Sequence, residues 1–353
     1  MKKHLAKFGY YQKELEQFRS KQPVSLRRIQ VDPVSYCNHD CPFCIYRYDR
    51  NEDMNALFDV KDRLPFEKMI EIFEDCVVLG VQSVELTGGG EPSLHPQFPE
   101  ILAALADRGL DIGLVTNGAW REKHFDAIVD GLSPATWVRF SLDSATSEVH
   151  RKTHAAGKND FQTAIRAIEA LVAHGTVDVG ISFVVQQSNS HELEAGYRLA
   201  ERLGVKYFRV GGIVFEGERI DHIELTPAEH ARVGQELSDL KQDLSDVELI
   251  DNWTTRSLAE FPRYTEGDTC YYSHMAYTIG ADGKVYPCCI WKYRPKGVIA
   301  DLYEERLVDV WRRNAIDTFY EGFSIAEACT RCFLKDRNDL IHSFVTAEHI
   351  NFG

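Results

Sequence analysis

The sequence predicts an α/β fold, a partial barrel of about six β/α units followed by a small cysteine-rich domain. Strand-like and helix-like segments alternate from Ile29 to about residue 220. Most of these strands precede a helix of about three turns, which is typical of parallel strands joined by right-handed crossovers. The alternation stops near residue 221, and five of the nine cysteines lie beyond it. Six units are too few for a closed eight-stranded barrel, so we expect a partial, TIM-like (β/α)6 barrel.

The elements follow from local patterns in chain order. The first long helix should begin near Pro65 and end at Gly80, because proline suits a first helical turn and glycine suits a helix end. Cys76 lies in the apolar stripe of this helix, so we interpret it as a small buried hydrophobic residue. The six strands are predicted at the segments RRIQVDP, SVELT, IGLVTNG, WVRFSLD, DVGISFVVQ and KYFRVGG.

Four segments organise the chain. We expect a helical extension over residues 1–28, the barrel over 29–220, a helical linker over 221–265 and the cysteine-rich domain over 266–353. The linker helix should have Thr226 as its N-cap and Pro227 in its first turn. An Asp-Gly pair inside MAYTIGADGKVYPC predicts a β-hairpin in the last segment.

Composition restricts the function classes. The formal net charge is −14, from 40 Lys and Arg against 54 Asp and Glu, which disfavours a general binder of nucleic acid or of anionic membranes. No apolar run is long enough to cross a bilayer. An odd number of cysteines without a secretion signal favours thiolate ligands in a reducing compartment, so we expect a cytoplasmic protein.

Three of the cysteines form a C-x3-C-x2-C group, namely Cys37, Cys41 and Cys44, after the first predicted strand. Structural zinc sites want four protein ligands, so three thiolates on one loop fit zinc poorly. They fit a cubane iron–sulfur cluster, in which three cysteines leave one iron without a protein ligand. Polar and glycine-rich residues also follow several other strands, and ligands bind at that edge of parallel sheets.

With Phe43 directly before its last cysteine, this loop resembles the signature of the radical S-adenosylmethionine (radical SAM) enzymes. The segment GGEP, Gly89 to Pro92, resembles the second motif of that family. The resemblance implies that a [4Fe-4S] cluster binds S-adenosylmethionine through its open iron. One electron, from a partner such as flavodoxin or ferredoxin, then yields a 5′-deoxyadenosyl radical that takes a hydrogen atom from the substrate.

The resemblance also implies which residues contact the cofactor. Backbone groups of GGEP would hold its methionine amino group, and TNG and SLD would reach its methionyl or ribose part. Asn-Gly and Ser also occur as ordinary turn residues, and Arg151 is either a partner of the cofactor carboxylate or a solvated arginine. The predicted cofactor-binding residues are Phe43, Gly89, Gly90, Glu91, Pro92, Asn117, Ser141, Asp143 and Arg151.

A second set of cysteines lies near the C-terminal end. Gly283 followed five residues later by Cys288 resembles the start of the SPASM and twitch domains of many radical SAM enzymes, and five cysteines suffice for one auxiliary [4Fe-4S] cluster. A fully ligated cluster would serve electron transfer. A zinc site with four cysteine ligands has the same ligand count and remains the alternative. The predicted ligands are Cys270, Cys288, Cys329 and Cys332, with Cys289 as a spare.

The sequence indicates the reaction class more closely than it indicates the substrate. Small molecules such as amino sugars or nucleosides and peptides both fit, and the 36 residues before Cys37 favour a small molecule or a peptide delivered by another protein. A non-catalytic iron–sulfur electron carrier would explain the cysteines but not the GGEP loop. Four residues are candidates to face the barrel cavity by strand alternation: Glu85, Arg139, Gln186 and Arg209.

Overall fold

A computed structural model describes residues 10–48, 55–213, 223–253, 263–329, 332 and 334–347. Its centre is one sheet of ten strands. The strands are β1 (Arg28–Val31), β2 (Ser83–Leu86), β3 (Asp111–Thr116), β4 (Trp137–Ser141), β5 (Asp178–Val185), β6 (Tyr207–Gly212), β7 (Glu248–Asp251), β8 (Ala276–Ile279), β9 (Lys284–Tyr286) and β10 (Ala300–Asp301). Their order across the sheet is β10-β9-β8-β1-β2-β3-β4-β5-β6-β7.

Helices follow most of the strands and cover the sheet. Apolar residues of the strands, such as Leu114, Phe140 and Ile181, pack in one core with residues of these helices. The helices are α1 (Gln12–Arg19), α2 (Ile45–Tyr48), α3 (Phe66–Leu79), α4 (Phe98–Asp107), α5 (Phe125–Gly131), α6 (Ser147–His154), α7 (Asp160–His174), α8 (Leu193–Leu203), α9 (Pro227–Leu240), α10 (Tyr272–Met275), α11 (Leu307–Arg312), α12 (Ala315–Glu321), α13 (Ile325–Ala328) and α14 (Lys335–Thr346).

All six predicted strands are present as β1 to β6 and pair in parallel, which confirms the fold class. The sheet is wider than predicted. β7 pairs in parallel with β6 and lies within the segment expected to be a helical linker, and β8 pairs in parallel with β1. The β8–β9 hairpin was predicted, but its pairing with β1 joins segments about 250 residues apart, and no local pattern encodes such a contact.

The predicted helix ends are confirmed at two helices. Gly80 ends α3 with a φ of +73°, a conformation that glycine adopts without strain. At α9 the Thr226 side chain accepts from the backbone N–H of Glu229, and the Glu229 carboxylate accepts from the backbone N–H of Thr226, so the two form a capping box. Cys76 is fully buried in the core, as expected.

The N-terminal helix is present in part. The predicted helical extension covered residues 1–28; α1 runs from Gln12 to Arg19, and residues 1–9 lie outside the described residues. Residues of α1 pack beside Tyr271 and Ile341, close to the start of β8 and in α14. Among the described helices, none combines the length and the apolar character that a bilayer span requires.

Candidate functional site

A cavity of about 600 Å³ lies at the carboxyl ends of the parallel strands. The cysteine loop, the glycine loop after β2 and the ends of β3 to β6 line it. The predicted residues among its lining are Cys37, Cys41, Phe43, Cys44, Gly89, Gly90, Glu91, Asn117, Ser141 and Asp143. Pro92 and Arg151 are not part of the lining. The strands therefore bring motifs that are up to 106 residues apart in sequence to one edge of the sheet.

The glycine loop passes so close to its neighbours that side chains do not fit. A Cβ on Gly90 would lie 2.0 Å from the carbonyl oxygen of Tyr36, and one on Gly89 would lie 2.4 Å from the ring of Phe58. Tyr36 precedes Cys37, and its carbonyl accepts from the backbone N–H of Glu91. The glycines thus let the two loops touch along their backbones.

Glu91 ties the glycine loop to the loop after β3. Its buried carboxylate accepts from the Thr116 hydroxyl at 2.7 Å and from the backbone N–H groups of Asn117 at 2.8 Å and Ser93 at 3.1 Å. Burial raises the pKa of Glu91, and these hydrogen bonds oppose the rise. Asn117 in turn donates to the side chain of Asn38 in the cysteine loop at 2.8 Å. Glu91 and Asn117 therefore fix three loops relative to one another.

Asp143 and Arg151 differ in their placement. Asp143 is buried, has a φ of +52°, and accepts from the backbone N–H of Val184 at 2.6 Å. Arg151 lies exposed on α6 and is not part of the cavity lining, whereas His154, three residues later on α6, lines the cavity. Pro92 begins a short 3-10 turn, Pro92–Leu94, just outside the lining. The structure thus groups Asp143 with the cavity but neither Arg151 nor Pro92.

Three buried histidines beside the cysteine loop were not predicted. His154 Nδ1 lies 3.1 Å from Cys41 Sγ, and its Nε2 lies 3.2 Å from Asp143 Oδ2. One ligand atom each of His39, Cys41 and His154 lie within 4.8 Å of one another. Burial, helped by the neighbouring histidines, lowers the pKa of both His39 and His150 to about 3, so both are neutral.

The three thiols of the cysteine loop suit a cationic cluster. Burial raises the pKa of Cys41, and the nearby Cys44 and Cys37 raise it further, because thiolates repel one another. A bound iron–sulfur cluster would relieve that repulsion. Structural zinc sites use four protein ligands, whereas three thiolates on one loop leave one iron of a cubane without a protein ligand. The donor set therefore fits a cubane whose thiolates bind different irons.

The C-terminal cysteines lie near one another at the opposite edge of the sheet. Cys270 precedes β8, and Cys288 follows β9, which runs antiparallel to β8. Burial raises the pKa of Cys329, and the adjacent Cys270 and Cys332 add to the rise. Burial also raises the pKa of Cys288, and the neighbouring Cys289 and Cys270 raise it further. The four predicted ligands match the ligand count of a cubane cluster and of a four-cysteine zinc site alike.

Cys289 has different surroundings from Cys288. Burial raises its pKa, while the cations of Lys292 and Arg28 oppose the rise and Glu85 adds to it. Arg28 and Glu85 belong to the inner strands β1 and β2 of the barrel. Cys289 therefore lies beside charged residues of the barrel.

A buried ion pair links the C-terminal region to the cavity. Lys292 Nζ lies 2.5 Å from Asp32 Oδ2, and both side chains are fully buried. The same oxygen accepts from the backbone N–H of Gly89 at 2.9 Å and from the Tyr293 hydroxyl at 2.9 Å. Lys292 also lies 4.9 Å from the ring centre of Tyr46, which lines the cavity. The glycine loop is thus anchored through Asp32 to the segment that follows Cys289.

The four candidates to face the barrel cavity are placed differently. Glu85, Arg139 and Arg209 are partly exposed on strand positions that alternate with buried core residues. Gln186 is buried just after β5 and is absent from the cavity lining. By strand alternation Glu85, Arg139 and Arg209 lie on the face opposite the buried core residues, and none of the four candidates is part of the cavity lining.

Comparison with protein families identifies the two domains that carry these cysteines. Residues 31–200 match the family model described as the radical SAM superfamily, and residues 270–333 match the SPASM model, described as an iron–sulfur cluster-binding domain. The chain carries a radical SAM domain followed by a SPASM domain. Its radical SAM domain binds S-adenosylmethionine and a [4Fe-4S] cluster, and its SPASM domain binds an auxiliary iron–sulfur cluster. The second match spans all five C-terminal cysteines.

Individual relatives agree with this family. The chain is 25% identical to a PqqA peptide cyclase of Methylobacterium sp. (strain 4-46), over 86% of this chain and 77% of that one. It is 26% identical to a probable GTP 3',8-cyclase of Methanococcus maripaludis, over 58% of this chain and 65% of that one. The fold resembles Streptococcus suis SuiB bound to S-adenosylmethionine, with a TM-score of 0.62, 18% identity, and coverage of 86% and 69%.

Proposed function

We propose that this radical SAM enzyme modifies a peptide by abstracting a hydrogen atom from it. The observation that carries the proposal is the cavity of about 600 Å³, in which the cysteine loop and the glycine loop meet above a barrel interior that holds polar side chains. This arrangement suits a cofactor that reacts with a substrate in the barrel. When bound, the reduced cluster and S-adenosylmethionine supply the carbon radical that takes the hydrogen atom.

Similarity to relatives supports a peptide over a small molecule. The match to the PqqA peptide cyclase extends over 86% of this chain, whereas the match to the GTP 3',8-cyclase extends over 58%. SuiB has also been crystallised with its precursor peptide SuiA, and that structure shares the fold with a TM-score of 0.60 over 86% of this chain. Of the two substrate classes that the sequence left open, a small molecule or a peptide, we therefore choose the peptide.

Each part of the site has a proposed role. Cys37, Cys41 and Cys44 would hold the cluster, and the backbone of Gly89 and Gly90 would approach the cofactor closely. Glu91, Asn117 and Asp143 would keep the loops in register through the hydrogen bonds described above. Tyr46 and Phe58, whose rings stack 5.5 Å apart, would form an apolar wall that excludes water.

The C-terminal site would handle electrons. Cys270, Cys288, Cys329 and Cys332 are our proposed ligands for the auxiliary cluster. They lie at the opposite edge of the sheet from Cys37, so the barrel interior lies between the two cysteine groups. An electron released by a net oxidation of the peptide could leave through this second site, and a small protein such as flavodoxin or ferredoxin would reduce the first.

The test uses anaerobically reconstituted protein with dithionite as the reductant. We expect it to form 5′-deoxyadenosine, and to form more when short peptides encoded beside its gene are added, with a loss of two hydrogens from the peptide by mass spectrometry. Cys76→Ala is the matched control for Cys41→Ala, because Cys76 is buried outside both sites. Cofactor cleavage that persists in Cys41→Ala, or peptides that never change mass, would refute the proposal.

A further inference from the structure

Arg139 lies on the same face of β4 as a residue that lines the cavity. In the sheet register it pairs with Val115, and it precedes Ser141 by two residues. Val115 and Ser141 both line the cavity. Residues two apart on a strand, and residues paired across neighbouring strands, share one face of a sheet. The side chain of Arg139 therefore projects into the barrel interior directly beneath the cavity.

Two more residues of the interior lie near Arg139. Arg209 pairs in register with Ser182, which pairs with Ser141. Gly180 pairs with both Arg139 and Tyr207, and a Cβ on Gly180 would lie 2.1 Å from the Tyr207 ring. The missing side chain thus makes room for the Tyr207 ring beside Arg139. Burial raises the pKa of Tyr207, and the cations of Arg139 and Arg209 oppose the rise, as expected if both lie close to it.

The charged groups of this region are mostly paired. Arg28 and Glu85 lie 3.1 Å apart, and Lys206 and Asp178 lie 2.5 Å apart; Glu85 and Asp178 both act on Tyr207. Arg139 makes no side-chain hydrogen bond and no ion pair with any residue in the described part of the chain; its guanidinium lies 5.4 Å from the ring centre of Trp137. A partly buried guanidinium without an anionic partner is costly, and the cost falls when an anion binds. Arg139 therefore offers a cationic group to a negatively charged ligand.

We infer that Arg139, with Arg209 and the Tyr207 hydroxyl, forms a subsite for a carboxylate of the substrate, supplied by an acidic side chain close to the residue that reacts. The peptide part of this inference rests on the proposed function. The planar guanidinium of Arg139 suits a carboxylate, which it can bind with two hydrogen bonds. A peptide bound at this subsite would lie between the two cysteine groups.

The first experiment tests the subsite without a peptide. Glutarate and its uncharged analogue glutaramide are titrated into holoprotein that carries both clusters and S-adenosylmethionine, with calorimetric detection. We expect glutarate to bind about tenfold more tightly than glutaramide. Arg139→Gln should abolish this preference and Arg139→Lys should keep part of it. Arg166→Gln should change nothing, since Arg166 is exposed on α7 and paired with Glu122.

Equal binding of glutarate and glutaramide, or a preference that survives Arg139→Gln, would overturn the inference. Inorganic phosphate is the second probe. If phosphate displaces glutarate at lower concentration than acetate does, the subsite is built for a phosphorylated group and the carboxylate assignment is wrong.

The second experiment tests the acidic subsite and the peptide substrate independently of one another. The blocked tripeptide Gly-Glu-Gly and its Gly-Gln-Gly counterpart are compared in the same holoprotein. If the glutamate peptide binds more tightly and Arg139→Gln removes this preference, the result supports both the carboxylate subsite and the peptide substrate. If both peptides bind equally, the proposed function stands and the acidic subsite fails. If glutarate binds and neither peptide does, the subsite stands and the peptide substrate fails.

Discussion

At the scale of single residues, the site depends on positions where nothing larger or differently charged fits. Gly90 lets two loops touch, Glu91 is buried with three donors around it, and His150 is buried as a neutral base. The motifs GGEP and C-x3-C-x2-C predicted the loops that meet here, because loops after parallel strands share one edge. His150 and His154 could not be predicted, since their proximity to Cys41 depends on how α6 packs.

The close approach at Gly90 gives the first prediction. Gly90→Val should weaken S-adenosylmethionine binding by at least about tenfold, because its side chain would meet the Tyr36 carbonyl and displace the loop. Isothermal calorimetry on reconstituted protein measures this. Iron content should stay near that of the native protein, since the thiols are untouched. Gly234→Ala, in a helix where a Cβ meets nothing within 4 Å, is the control. Unchanged affinity would mean that the loop is only a turn.

His150 predicts a pH dependence. Burial lowers its pKa to about 3 from an ordinary value of 6.5. Between these values the unfolded chain binds a proton that the folded chain does not, so stability falls as the pH drops below about 6.5. His150→Leu should lose less stability between pH 7 and 5 than the native protein, by on the order of 1–2 kcal/mol. Urea midpoints across this range measure it, with exposed His174→Leu as control. Parallel pH profiles for native protein and His150→Leu would contradict the assignment.

At the scale of elements, the sequence predicted correctly those strands in which apolar residues alternate with polar ones inside a β/α repeat. β1 to β6 have that pattern and precede helices with clear ends. β7 is only four residues long and has no buried residue, so its sequence carries little signal. The pairing of β8 with β1 and the ion pair of Lys292 with Asp32 are contacts between distant segments, and no local spacing reveals them.

That ion pair gives a prediction about how the C-terminal segment is held. Burial lowers the pKa of Lys292, but Asp32 and Tyr46 more than compensate, so its pKa is raised and it stays charged. Lys292→Met should cost about 3–5 kcal/mol of stability, because Asp32 would be buried without a counter-charge. Lys292→Met combined with Asp32→Asn should recover most of the loss, since it removes both charges. Chemical denaturation measures both variants. A double variant as unstable as the single one would show that packing, not charge, holds the segment.

At the scale of the whole molecule, the two cysteine groups occupy opposite edges of the same part of the sheet. The cysteine loop follows β1 at its carboxyl end, and Cys270 precedes β8, the neighbour of β1, at its amino end. A substrate in the barrel would lie between two redox centres, with Arg139 and Arg209 on the wall. On the proposed function, a net oxidation of the substrate would need an exit for one electron, and the second cysteine group would provide it across the barrel from the radical source.

The last prediction asks what the C-terminal cysteines hold. Changing Cys37, Cys41 and Cys44 together to Ala should remove about four irons and abolish 5′-deoxyadenosine formation. About four irons should remain, with iron–sulfur absorbance and a paramagnetic signal on reduction, because Cys270, Cys288, Cys329 and Cys332 are untouched. A colourless triple variant with about one zinc would instead mean a structural site and a redox-neutral reaction. If the remaining irons form a cluster, Cys288→Ala should lose that cluster and Cys289→Ala should keep it. The reason is that Cys289 lies beside Lys292, Arg28 and Glu85. The reverse result would make Cys289 the ligand.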